Sequence, residues 1–223
     1  MKPRQVVVYG CGGQGRDIAW AIQSSSSYAG GTPYEVVCFV NDDKATHGST
    51  VNGVHVMGLE AAREKFPEAR LVASIGSPQL RELMVQKATK VGFEFETFAH
   101  STCVVSPTTE MNPGTVVLPA CVLSTNLKLG QHVQIGLNCT VGHDTVLDDY
   151  ASLMLGAHIA GYVRVGKRVL IGMGAVVING TQDSPLVLGD DVVVGAGACV
   201  TKSVPPGQTV VGVPARPLEK TSR

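Results

Sequence analysis

Residues 127–147 read LKLGQHVQIGLNCTVGHDTVL. Every sixth position, Leu129, Ile135, Val141 and Leu147, is aliphatic, and the residue two places before each (Leu127, Val133, Cys139, Thr145) is apolar or small. Working outward, the series runs back through Leu123, Val117 and Met111 to Val105, and forward through Leu153, Ile159, Val165 and Ile171 to Val177, without a miss. The second column continues as Cys103, Thr109, Thr115 and Cys121 on one side and Ala151, Ala157, Val163, Val169 and Ala175 on the other. Gly follows the aliphatic at Gly130, Gly136, Gly142, Gly166 and Gly172. A fixed short period of this kind marks a repeat architecture.

Six residues suffice for a short strand and a sharp corner. Residues two apart on a strand face the same side, so both columns point inward. Three such sides close a triangular coil of eighteen residues, and stacked coils pair strand on strand as a parallel β-helix. The Gly after each aliphatic, or Asp148 in the same place, is expected to take the corner in a left-handed conformation. After Val177 the pattern resumes at Leu188, Val194 and Val200, eleven residues on, which predicts a five-residue loop over 180–184. The ending VPPGQTVVGVPARP (204–217) reads as a cap whose prolines stop ladder pairing.

The chain has 223 residues, 16% of them charged, and a formal net charge of zero. No basic patch points to nucleic acid, and no apolar stretch is long enough for a membrane span. The start, MKPR, runs straight into a strand without a signal-peptide pattern, and six scattered Cys without CxxC suit a reducing, cytoplasmic setting. Cys103, Cys121 and Cys139 lie eighteen apart and stack in one column. They read as small inward-facing hydrophobes, because zinc needs four converging ligands and a ladder offers a line; no metal site is expected.

Residues 1–100 follow another rhythm. QVVVY (5–9) is a buried strand, GCGGQG (10–15) satisfies G-x-G-x-x-G, and a helix is expected from Arg16 to Ser24, with Ser24 to Ser27 and Gly30-Gly31 as loop. A second strand over 35–40 ends in Asn41-Asp42-Asp43; a third over 71–75 ends at Gly76-Ser77, before a helix over 78–91. This is a small parallel α/β, Rossmann-like unit, about half of a dinucleotide fold, and half a fold suits a mononucleotide. Two domains are therefore expected, 1–100 and 101–223.

YGCGGQGRD (9–17), FVNDDK (39–44), Ile75-Gly76, Gly142-His143-Asp144 and the ending over 211–216 occur in one order along nearly the whole chain. Together they resemble the hexapeptide-repeat sugar acetyltransferases of the NeuD group, which includes nucleotide-amino-sugar N-acetyltransferases of bacterial glycan synthesis. The resemblance implies a left-handed β-helix, a homotrimer with acetyl-CoA between neighbouring helices, and a nucleotide-linked amino sugar as acceptor. It places the catalytic base at His143. Neutral imidazole suits that role at cytosolic pH, since the tetrahedral intermediate of amine acylation must lose a proton. His143 stands two residues after inward-facing Val141, so it should project at a corner, with Thr125 and Gly161 one coil away leaving room for substrate. Asp144 is expected to orient it if the pair shares that corner.

The resemblance also implies nucleotide contacts at Gly12, Gly13, Gln14, Asp42 and Gly76, and acetyl-CoA contacts at Gly161, Met173, Ala196 and Arg216. The chain departs from the family pattern at Asn41, where relatives commonly carry Asp, at Gly136, where many carry Asn, and at Ser152, where some carry a second His. Three competing readings stand beside this one: O-acetylation of a sugar of the sialic-acid type, a non-catalytic nucleotide sensor, and a zinc hydratase of the γ-carbonic-anhydrase type. The last wants closely spaced His pairs, whereas His132, His143 and His158 are eleven and fifteen apart. His47, His55, His100, His132 and His158 are expected at surface or interface positions.

Overall fold

The computed structural model describes residues 2–28 and 33–218. The chain divides into two compact units, Met1–Thr102 and Cys103–Arg223.

In the first unit, β1 (Arg4–Tyr9) leads through the Gly-rich turn into α1 (Gly13–Tyr28), then β2 (Tyr34–Val40), the hairpin β3 (Thr50–Val51) and β4 (Val54–Met57), α2 (Leu59–Lys65), β5 (Arg70–Ala73) and α3 (Pro78–Lys90). The sheet order is β3-β4-β2-β1-β5, parallel except for the β3–β4 pair. The chain builds outward from β1 on one side and then crosses to β5 on the other. That reversal opens a crevice at the carboxyl ends of β1, β2 and β5, where ligands of open α/β sheets bind. Val6, Val7 and Val8 of β1 are fully buried, as a strand covered on both faces requires.

The helix α1 corrects the sequence reading at its far end. It runs past Ser24 to Tyr28, while Gly30 and Gly31 lie outside the described residues. Serines read as loop because their hydroxyls compete with the helix backbone. Here Ser24 Oγ donates back to the Ala21 carbonyl at 3.1 Å, and buried Ser25 accepts from the Ser101 amide at 3.1 Å.

In the second unit, two-residue strands form three stacks. One contains Val122–Leu123, Thr140–Val141, His158–Ile159 and Val176–Val177; the next contains Lys128–Leu129, Val146–Leu147 and Val163–Val165; the third contains Gln134–Ile135, Ser152–Leu153 and Leu170–Ile171. Pairing partners are eighteen residues apart, as in Val122↔Thr140 and Val141↔Ile159, until the 180–184 loop shifts them to Val165↔Leu188. From Val117 onward the aliphatic column is buried, and each such side chain contributes roughly 1.5–3 kcal/mol of transfer free energy. The small column is buried too, and its polar members are satisfied. Thr115 Oγ1 donates to the Gly130 carbonyl at 2.8 Å, Thr145 to Ala160 at 3.1 Å, and the Cys121 and Cys139 thiols to Gly136 and Met154.

The corner is built differently from the sequence expectation. The left-handed residue is the third after each aliphatic: Asn126, His132, Asn138, Asp144, Tyr150, Tyr162 and Arg168, with φ between 54° and 62°. The glycines directly after the aliphatics and Asp148 are absent from that set. Gly142 answers to closeness instead: a Cβ there would lie 2.6 Å from the Ala160 carbonyl carbon and the Gly161 nitrogen of the next coil.

The ending also departs from expectation. Pairing does not stop at the prolines, because Thr209–Val211 adds a parallel strand on Val193–Val194 and Arg216–Pro217 folds back antiparallel on it. Proline lacks only the donor, so the chain pairs through its neighbours and closes the edge with its own hairpin.

Candidate functional site

Candidate residues gather in two places, one in each unit. In the first unit, Gly12, Gly13, Gln14, Asp42 and Gly76 line a single open cleft of about 400 Å³, with Tyr9, Asn41, Ser74 and Met84. The glycines of the turn divide into two kinds. A Cβ on Gly15 would fall 1.9 Å from the Gly10 carbonyl oxygen, and one on Gly10 would fall 2.4 Å from the Ser74 carbonyl oxygen. Those two are required by packing. A Cβ on Gly12 or Gly13 would meet nothing within 4 Å, so their bareness leaves backbone open to the cleft. The first turn of α1 presents backbone N–H groups and carries the positive end of the helix, which suits a phosphate.

Asp42 is held from two elements: Tyr9 Oη donates to one carboxylate oxygen and Lys87 Nζ, on α3, lies 2.6 Å from the other. Partial burial works against ionisation, yet the hydrogen bonds from Lys87 and Tyr9 outweigh it and hold the carboxyl below its usual range. Burial and the bond to Asp42 push the Tyr9 phenol up, so it stays a donor. Asn41 turns its amide to the Cys11 sulfur at 3.2 Å, and its carbonyl meets His47 Nε2 at 2.8 Å.

In the second unit, His143 and Asp144 form the corner after the strand Thr140–Val141. Asp144 is left-handed at φ 54°, so the two side chains meet rather than diverge: His143 Nδ1 lies 2.8 Å from Asp144 Oδ2. Asn126, one coil before, donates to the other carboxylate oxygen at 3.1 Å. Hydrogen bonds from His143 and Asn126 hold the Asp144 carboxyl below the ordinary range, so it is an acceptor only. Nδ1 therefore carries the proton, and in neutral imidazole the lone pair resides on Nε2. Nε2 has no hydrogen-bond partner among the described residues, and the side chain is half exposed.

The imidazole is positioned on a second side by Tyr162, one coil after Asp144, whose ring meets it edge to face at 5.1 Å. Gly161 is buried beneath it: a Cβ there would lie 2.6 Å from His143 Cε1. This corrects the expectation that Gly161 leaves room for substrate. The room is occupied by the imidazole itself. Thr125, on the other side, is exposed, and its carbonyl accepts the Asp144 amide at 3.0 Å.

The acetyl-CoA candidates do not meet within one chain. Gly161 shares the His143 corner. Met173 and Ala196 are both exposed and stack on each other's coils at the preceding corner, beyond the strand stack that leads into His143. Arg216 is exposed on the terminal hairpin, where its guanidinium donates to the Ala215 carbonyl.

Two histidines read as surface or interface positions are buried in the chain. His132 stacks on Tyr150 with centroids 5.2 Å apart, and His100 lies between Ser24 and Thr102. His158 Nδ1 is engaged by Thr140 Oγ1 at 2.9 Å. Among the described residues no three His, Cys, Asp or Glu side chains converge as a metal set, and no helix is long and apolar enough to cross a membrane. Sequence reasoning missed Asn126 and Tyr162, although both stand eighteen residues from Asp144 and the coil period identifies them. Lys87 carries no such signal.

A Gly-rich cleft on a parallel sheet, followed along the chain by a triangular β-helix with an imidazole on its corner, defines a two-part acyltransferase class. Residues 5–88 match the PglD N-terminal domain family and residues 162–202 the hexapeptide repeat of succinyl-transferase family. The chain is 31% identical over 215 residues to GDP-perosamine N-acetyltransferase of Escherichia coli O157:H7, covering 96% of both chains. Its fold matches a histidine-to-asparagine mutant of perosamine N-acetyltransferase from Caulobacter crescentus in complex with CoA and GDP-perosamine (TM-score 0.86, 29% identity, 97% of both chains). It also matches the acetyltransferase domain of PglB from Neisseria gonorrhoeae FA1090 in complex with acetyl coenzyme A (TM-score 0.83, 30% identity, 97% of this chain and 100% of that one). The chain belongs to the hexapeptide-repeat sugar acetyltransferases of the NeuD-like family: it is an acetyl-CoA-dependent acyltransferase with a left-handed β-helix.

Proposed function

We propose that this protein transfers acetyl from acetyl-CoA to the amino group of a nucleotide-linked amino sugar, with His143 as the general base. The reading rests on one observation: Asp144 fixes the proton on Nδ1 and leaves Nε2 free at an exposed corner. The sugar amine attacks the thioester carbonyl carbon, forming the C–N bond. Nε2 takes the proton lost by the nitrogen, and the C–S bond breaks as the intermediate collapses. The imidazolium then returns that proton to the departing thiolate, so no covalent acyl-enzyme is needed. A backbone N–H stabilises the oxyanion. Asp144 acts as a positioning residue, and the first-unit cleft holds the nucleotide.

The protein works as a homotrimer in this reading. His143 stands at one corner and Met173 with Ala196 at another, an arrangement that suits an acetyl-CoA held between two copies. The outward column on the strand stack between those corners runs Val104, Val122, Thr140, His158 and Val176, with exposed valines at both ends of a polar pair, and is suited to a subunit contact. Six free cysteines agree with a cytoplasmic location.

The test is a transfer assay with acetyl-CoA and UDP-, GDP-, dTDP- and CMP-linked amino sugars, following release of the CoA thiol. Turnover with one of these and acetylation at nitrogen is the expected result. Thiol release with none of them, or acetylation at oxygen alone, overturns the reading.

A further inference from the structure

Ser74 follows β5 at the base of the Gly-rich cleft. It is 4% exposed, and its Oγ has no hydrogen-bond partner among the described residues. Its backbone is committed elsewhere: the amide donates to the Tyr9 carbonyl at 2.8 Å, and the carbonyl packs against Gly10. The hydroxyl lies under the start of α1, 3.2 Å from where a Cβ on Gly15 would be. A buried hydroxyl left unpaired costs stability, and alanine would remove that cost.

The lining of the cleft says what the hydroxyl awaits. No Lys or Arg belongs to it, so an anion there must be met by neutral donors. The first-turn N–H groups of α1 are such donors, and the open backbone at Gly12 and Gly13 admits a ligand to them. Among the side chains, the Tyr9 hydroxyl is spent on Asp42 and the Asn41 amide on Cys11. Ser74 is a buried donor that is not spent.

We propose that Ser74 Oγ donates a hydrogen bond to the diphosphate of the nucleotide-linked sugar, which makes it a binding residue of the first-unit cleft. This rests on the nucleotide reading given above. The experiment is calorimetric titration of the full chain, wild type and Ser74→Ala, with GDP, UDP, dTDP and CMP, together with ligand-free melting curves. The expected result is binding of one nucleotide by wild type, about tenfold weaker binding by Ser74→Ala, and an unchanged or higher melting temperature for the variant. If wild type binds a nucleotide and Ser74→Ala binds it equally well, the assignment fails and the nucleotide reading stands. A ligand-free melting temperature that falls by several degrees makes Ser74 structural and also overturns the assignment. If wild type binds none of the four, the nucleotide reading itself fails, and the Ser74 assignment with it.

Discussion

His143 Nδ1 and Asp144 Oδ2 are 2.8 Å apart although the residues are adjacent in sequence. On an extended strand, neighbours point to opposite faces. The left-handed turn at Asp144, φ 54°, brings them to one side. The coil's corner is therefore what creates the dyad. Asp144→Asn keeps a residue that tolerates this conformation but removes the charge that fixes the imidazole proton. Its kcat should fall roughly 10²-fold with nucleotide KM little changed, the size expected when a reacting group loses orientation. Steady-state kinetics with both substrates checks this; an unchanged kcat would remove Asp144 from the mechanism.

Gly161 supports the imidazole from below. Gly161→Ala places a methyl 2.6 Å from Cε1, and the half-exposed side chain can swing away. Turnover should drop about tenfold to a hundredfold while the melting temperature stays within a few degrees of wild type. A crystal structure of the variant should show the ring rotated off Asp144.

The two kinds of corner residue respond oppositely to substitution. Gly142→Ala should cost about 1–3 kcal/mol, because its Cβ would press on backbone of the next coil that cannot move aside. Ala120→Gly, at φ 63°, should be neutral or stabilise by up to about 1 kcal/mol, since the left-handed strain of alanine slightly exceeds the entropy cost of glycine. Chemical denaturation of both variants checks the pair.

Asp148 gives a pH signature. Partial burial first, then Asp149 and Asp190, push its carboxyl above the ordinary range. A carboxyl raised in the folded state holds more protons there than in the unfolded chain, so stability falls as pH rises through that interval. Asp148→Asn should melt about 1–3 °C higher at neutral pH, and the gain should vanish below about pH 4, where both states are protonated. Melting curves across that range check the sign.

The β-helix was legible because its period is written in side chains that must point inward: Val117 through Val177 are read from sequence and are buried in the structure. The same period places His143 at a corner. What it does not carry is the reason for each glycine. Close approach at Gly142 and a positive φ both appear as Gly, so the sequence alone places the left-handed role two residues too early. The serine end of α1 reads as loop from propensity, yet Ser24 bonds back to Ala21 within the helix and Ser25 meets Ser101, 76 residues on, a partner that local propensity cannot foresee. The β3–β4 hairpin carries a signal that sequence reasoning missed, the Asn52-Gly53 turn with φ 49° and 81°, whereas α2, at seven residues, is too short to show a period. Lys87 reaches Asp42 from 45 residues away, a pairing that only the packed sheet reveals.

The most direct test of the account replaces His143 by Ala and measures kcat for acetyl transfer, with nucleotide and acetyl-CoA binding measured on the same sample. Loss of turnover on the order of 10²–10⁴-fold, with both affinities and the melting temperature retained, is the predicted result. Turnover equal to wild type would contradict it.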